Sequence, residues 1–184
     1  MNSILELDAR LSNQMRVAEK PGALRAIAVF FAHSGDSWFW AIGLIAMWIS
    51  GNSFWREWAA VQLGSISVLA ALVLLIKFRV RRQRPVGEWG RIYRNTDPHS
   101  FPSGHAARAF LIATIASGLG PAWLAMSLWI WAPLVALARV AMGVHYLSDI
   151  VAGALFGIVV ALIGLQVYLP LFDWLFRLVG LRLW

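Results

Sequence analysis

The feature that most constrains this chain is a series of long apolar runs, Trp58 to Ile76, Ala106 to Leu119, Ala122 to Met142 and Tyr146 to Leu169, broken by Gly120–Pro121 and ended by Pro170. A helix needs roughly 20 mostly apolar residues to cross a bilayer. Of the 184 residues, 60% are hydrophobic and only 14% charged, and 11 are Trp, a balance outside that of soluble domains. The expected fold is all-α: one polytopic membrane helical bundle of about five to six transmembrane helices, a single domain over residues 1–184.

The flanks are weaker signals. Ile4, Leu5, Leu7, Leu11 and Met15 recur at near-helical spacing within residues 1–20, which predicts an amphipathic helix on the membrane surface. Acidic residues and the lack of an apolar core before Gly22 argue against a cleaved signal peptide. Gly22 to Ala32 and Ser37 to Ser50 are each short for a crossing, and "HSGD" at 33–36 separates them, so a half-inserted helix followed by a short or tilted span is expected. The tail, 171–184, spaces Asp173 and Arg177 four apart among aromatics and leucines, as an interfacial helix would.

Charge and cysteine usage narrow the chemistry. No Cys is present, which removes disulfides and thiolate metal sites. The net charge of +7 is not spread as a nucleic-acid-binding surface, because seven of the 16 Lys and Arg fall between Lys77 and Arg94. Such a cluster serves either anionic lipid headgroups or a bound anion. Tracing the spans puts Lys77, the loop from Arg79 to Ser103 and the Arg139–His145 turn on one side of the membrane.

Three polar motifs therefore converge. In "KFRVRRQRP", Lys77 and Arg84 are seven residues apart and Pro85 stops the helix; alone, Lys77 reads as a snorkelling lysine. In "PSGH", Ser103 and Gly104 open an apolar helix whose unpaired N–H groups suit a phosphate. An ordinary cap by Ser103 is the plainer reading, but it leaves His105 without a reason. In "RVAMGVHYLSD", His145 and Asp149 share a helical face, so the carboxylate can orient the imidazole. Arg139 sits beside them, and ionisable groups near lipid are usually functional.

In this order and spacing, K-x6-RP, PSGH and R-x5-H-x3-D resemble the type-2 phosphatidic acid phosphatase family, whose fold is shared with vanadium haloperoxidases and glucose-6-phosphatase. The motifs cover residues 77–149. The resemblance implies that His145 is a nucleophile forming a phosphohistidine, with Asp149 orienting it and His105 serving as acid and then base. By the same likeness Lys77, Arg84, Ser103, Gly104 and Arg139 hold the phosphate, with no metal and no cofactor. Such a site works by position and charge. Ala138 stands where family members usually carry Ser. Arg108 either reaches a second phosphate or the acyl-glycerol linkage, or pairs with Asp97; Asp36 lies near the same face and either neutralises part of the cationic cluster or positions the first span, and His33 and His99 have no partner spacing.

The expected activity is metal-independent hydrolysis of a lipid phosphomonoester or diphosphate: phosphatidylglycerol phosphate, phosphatidic acid or an isoprenyl diphosphate. A phosphotransferase using the same intermediate, and a non-catalytic protein binding anionic lipid, are the rivals. The partners expected are the bilayer and its lipid phosphate, with no nucleic acid and the oligomeric state left open. The basic loop favours a cytoplasmic site, whereas the resemblance to bacterial lipid phosphatases implies the extracytoplasmic face of the cell (inner) membrane; discounting catalytic charge favours the latter.

Overall fold

A computed structural model describes residues 2–17, 20–87, 89 and 97–179. Among them regular structure is helical, apart from one antiparallel bridge between Gln83 and His99. The helices are α1 (Asn2–Gln14), α2 (Ala23–Ser34), α3 (Ser37–Ser50), α4 (Ser53–Val80), α5 (Gly104–Leu119), α6 (Ala122–Ala141) and α7 (Leu147–Val179). In this membrane bundle α4, α6 and residues 147–167 of α7 are each long and apolar enough to cross a bilayer; α2 and α3 are shorter apolar helices.

The 28 residues of α4 rise about 42 Å at 1.5 Å per residue, more than the roughly 30 Å hydrocarbon core. Its last turns, with Lys77 and Arg79, therefore extend toward the headgroups. The centre of the bundle is α5, whose Ala106–Ala109 and Leu111–Ala116 are buried. A helix apolar on all sides has no solvent face, and α4, α6 and α7 pack around it.

Close approach of α5 and α7 depends on small residues. A Cβ at Gly157 would lie 2.0 Å from the Ala107 carbonyl oxygen, and one at Gly153 would lie 2.5 Å from that of Ser103. This small-xxx-small stripe sets the two backbones in contact, as membrane helices do where lipid supplies no hydrophobic driving force. The start of α5 is thereby seated against the start of α7.

One boundary differs from the sequence expectation: Pro170 does not end the last helix, and α7 runs through it to Val179, so no separate helix begins at 171. Neighbouring helices tolerate such a proline in lipid. The expected Asp173–Arg177 pairing lies outside the described side chains. At the other end α1 inverts the soluble pattern: Ile4, Leu5, Leu7 and Leu11 are exposed while Ser12 is buried. An apolar face turned outward suits a helix lying in the headgroup layer.

Candidate active site

The α5–α7 contact brings the second and third motifs together. Ser103 donates its backbone N–H to the Asp149 carbonyl at 3.0 Å. Its hydroxyl accepts from Ala106 N at 3.4 Å, so the cap reading holds for this residue. Gly104 does something else: a Cβ there would meet only Val73 Cγ1, at 3.7 Å, and would project into a cavity.

The first motif is folded back by loop pairing. α4 ends at Arg81 in the left-handed region (φ 52), with its N–H on the Lys77 carbonyl. The Gln83–His99 bridge and the Ser100 N–H to Arg82 carbonyl bond (2.8 Å) then align the two loop segments. Lys77 Nζ donates to Asp97 Oδ2 and, at 3.0 Å, to the His99 carbonyl. Arg84 donates from Nε to the Asp97 carbonyl (2.7 Å) and from one terminal nitrogen to Asp97 Oδ2 (2.8 Å). Its other terminal nitrogen reaches the Val144 carbonyl (2.9 Å) and lies 3.0 Å from His145 Nε2. Lys77 thus points into the site, and Asp97 pairs with it and Arg84.

His145 is buried in the turn between α6 and α7. Its Nδ1 lies 3.5 Å from Asp149 Oδ2, an ion-pair separation longer than a hydrogen bond. Asp149 is itself held: Oδ2 accepts from Tyr146 N (2.9 Å) and Oδ1 from Arg82 (2.7 Å). Burial, helped by the charges of Arg84, Arg139 and Lys77, holds the His145 imidazole well below its usual range. A neutral ring keeps a lone pair on Nε2, where it accepts from Arg84. Arg139, fully buried in the last turn of α6, adds its charge behind the ring.

The amphipathic α1 reaches this centre. Asp8 accepts from Arg82 at 2.6 Å and from Ser148 N at 3.0 Å, and Ser12 Oγ accepts from Leu147 N at 2.8 Å. These bonds satisfy open N–H groups at the start of α7 from another helix. Burial alone would raise the Asp8 carboxyl, but hydrogen bonds from Arg82 and Ser148 outweigh it and hold it below its ordinary value. Arg82 also stacks on Tyr146, 4.0 Å from the ring centre.

A cavity of about 250 Å³ opens beside His145, lined also by Lys77, Gly104, His105, Arg108 and Asp97. Its remaining wall includes Ile66, Leu69, Ala70, Val73 and Leu74 of α4. These recur every three or four residues, one apolar stripe leading away from Lys77. Arg108 does not pair with Asp97; it donates to the Gly35 carbonyl and to Ser37 Oγ. Ala138 packs among Ala28, Ala32, Met142 and Val144, where a hydroxyl would find apolar neighbours. Among the described residues no cluster of three His, Asp or Glu is placed to hold a metal.

The structure therefore gathers Lys77, Arg84, Gly104, His105, Arg139, His145 and Asp149 in one place, with Ser103 as the cap beneath them. Sequence reasoning missed Asp8 and Arg82, offered Asp97 as a partner for Arg108 rather than for Lys77 and Arg84, and left out His33, whose Nδ1 is 3.0 Å from Asp36 Oδ2. The isolated polar "HSGD" between apolar pieces was the available signal for the last of these. Arg91 and Arg94 of the basic cluster lie outside the described residues.

The PAP2 superfamily model matches residues 58–173. The chain is 35% identical over 155 residues to decaprenylphosphoryl-5-phosphoribose phosphatase of Mycolicibacterium smegmatis, covering 76% of each chain. It is 28% identical over 192 residues to a probable lipid phosphate phosphatase beta of Arabidopsis thaliana, covering 89% of each. Its fold is similar to that of a transmembrane PAP2-type phosphatidylglycerolphosphate phosphatase from Bacillus subtilis, with a TM-score of 0.71 at 22% identity, covering 89% of this chain and 85% of that one.

Proposed function

Because the chain belongs to the PAP2 superfamily and is an integral membrane phosphatase of that type, we propose that it hydrolyses a phosphomonoester or diphosphate of a lipid through a phosphohistidine on His145. One observation carries this reading: His145, whose Nε2 is 3.0 Å from an Arg84 guanidinium nitrogen, lines a cavity whose other wall is the apolar stripe of α4. A phosphate binds at the polar end while its tail follows the stripe into the bilayer.

In the first step the Nε2 lone pair attacks phosphorus, the bond from phosphorus to the lipid oxygen breaks, and His105 gives that oxygen a proton. In the second, water attacks the phosphohistidine, His105 takes the water's proton, and the N–P bond breaks. Lys77, Arg84 and Arg139, with the Gly104 backbone and Ser103, stabilise the charge on the equatorial oxygens, which is most of what phosphoryl transfer requires. Asp149 orients His145. Asp97 yields its place on Lys77 and Arg84 to the incoming phosphate. We place this site on the extracytoplasmic face of the cell membrane.

The relative that acts on decaprenylphosphoryl-5-phosphoribose and the fold neighbour that acts on phosphatidylglycerolphosphate define the panel to test, with phosphatidic acid and an isoprenyl diphosphate added. Phosphate release is measured in excess EDTA for the wild type and His145→Ala. The wild type is expected to turn over at least one lipid with little change on chelation, and the variant to lose on the order of 10^4-fold or more. Activity of His145→Ala within tenfold of wild type would sink the phosphohistidine.

A further inference from the structure

The break between α2 and α3 is a built joint. Gly35 is buried, and a Cβ there would lie 2.7 Å from Val135 Cγ1 and 3.5 Å from His105 Cδ2. Only glycine lets the joint come this close to α5 and α6. Arg108, one turn beyond His105, fixes it through the Gly35 carbonyl and Ser37 Oγ. From α6, Trp131 Nε1 donates to Ser34 Oγ at 2.9 Å, while Trp40 Nε1 of α3 donates to the Ser34 carbonyl at 3.0 Å.

Asp36 is the residue this joint presents. It occupies the N-cap position of α3 yet makes no side-chain cap bond. Such a cap is typically worth about 1 kcal/mol. Its two oxygens are engaged elsewhere: Oδ1 lies 2.8 Å from His105 Nε2 and Oδ2 lies 3.0 Å from His33 Nδ1. The His33 side chain is 45% exposed, against 17% for Asp36 and 18% for His105, so His33 is the outermost of the three.

We propose that Asp36 is the positioning residue for His105, binding its Nε2–H so that Nδ1 is the nitrogen exchanging the proton with the leaving group and with water. The proposal rests on the reading of His105 as acid and base. In the first step the His105 imidazolium gives the Nδ1 proton to the lipid oxygen and keeps the Nε2 proton on Asp36. In the second, Nδ1 recovers a proton from the attacking water. The carboxylate stabilises the cationic ring at both ends of this cycle, and His33 holds the carboxylate's other oxygen.

The test compares pre-steady-state phosphoenzyme bursts on a lipid alkyl phosphate and on an activated aryl phosphate, for wild type, Asp36→Asn, Asp36→Glu, His105→Ala and the Asp36→Asn/His105→Ala double variant. Asn is a good N-cap, so Asp36→Asn leaves α3 its start. General acid assistance is typically worth about 10^2 to 10^4. Losing only its orientation is expected to slow the alkyl burst roughly 10- to 100-fold and the aryl burst far less. The double variant is expected to be no slower than His105→Ala, and Asp36→Glu to recover much of the alkyl rate. Equal alkyl and aryl losses in Asp36→Asn, additive losses in the double variant, or Asp36→Glu as slow as Asp36→Asn would overturn the assignment and leave Asp36 as part of the joint. Should His105→Ala itself lose both bursts equally, the acid role falls and Asp36's role falls with it. A leaving-group dependence in His105→Ala but not in Asp36→Asn overturns the role of Asp36 alone.

Discussion

Asp97 pairs with two of the cations proposed to bind phosphate, so Asp97→Asn should tighten binding rather than weaken it. Its Oδ2 accepts charge-assisted hydrogen bonds from Lys77 Nζ and from Arg84, the latter at 2.8 Å. A hydrogen bond to a charged group contributes about 1.5–3 kcal/mol against about 0.5–1.5 for a neutral one. Two bonds losing their carboxylate therefore weaken the competing contact by about 2 kcal/mol. The Asp97 side chain is 40% exposed, and solvent screening reduces that to about 1–2 kcal/mol. Phosphate no longer has to displace an anion, so KM for the lipid and the inhibition constant of inorganic phosphate should fall together, by roughly 5- to 30-fold. The change in kcat should be small, because the contact is absent once phosphate is bound. Steady-state kinetics in detergent micelles with phosphate as competitive inhibitor measure all three. A rise in both constants would refute the reasoning, and would show that Asp97 holds Lys77 and Arg84 in place for the substrate.

Other perturbations follow from the same geometry. Gly157→Ala puts a methyl against the Ala107 backbone, 2.0 Å from its oxygen, where no rotamer change gives relief. Overpacking of about 1–3 kcal/mol should lower the melting temperature in detergent, whereas Gly43→Ala, with nothing within 4 Å, should not. His145 has its pKa depressed by burial and by three cations, so the neutral nucleophile persists as pH falls. The acid limb of kcat/KM, corrected for the substrate's own ionisation, should lie below the roughly 6.5 of free imidazole; a limb at or above that value contradicts the depression. The chain has no Cys, and Val86 beside the site is 80% exposed. Val86→Cys should react with a membrane-impermeant maleimide in intact cells, and labelling only after lysis would place the site in the cytoplasm.

What could be read from the sequence were groups whose identity and spacing are both dictated by chemistry. His145 and Asp149 were expected on one helical face; His145 instead lies in the turn before α7, with its Nδ1 3.5 Å from Asp149 Oδ2, while Lys77 and Arg84 are separated by the turns that end α4. Gly104 stands out because it opens α5 without a side chain, and a Cβ there would meet only Val73 Cγ1 at 3.7 Å, which leaves the cavity clear for the phosphate proposed above. The all-helical membrane fold was legible for a similar reason, since length and apolarity answer to bilayer thickness; of the five to six spans expected, three helices among the described residues have that length and apolarity.

The supporting contacts were not legible, and the cause is physical. Asp8 reaches Arg82 and Ser148 across sequence separations of 74 and 140 residues, and Asp36 reaches His105 across 69. No periodicity encodes such a distance; it is fixed by how α1 lies on the headgroup face and by where α2 breaks against α5. Each of these carboxylates looks locally like a surface acid or a helix cap. Each is instead the counter-charge that lets an ionisable group sit at a low-dielectric site. A bundle that collects Lys77, Arg84, Arg108 and Arg139 around one cavity must distribute acids among them. Those acids are drawn from whatever segment the fold brings near: a surface helix for Asp149's partner Arg82, a loop for Lys77, a helix joint for His105. Only Asp36, alone between two apolar helices, was readable in advance as an acid that could offset the cationic cluster; its partner His105 was not.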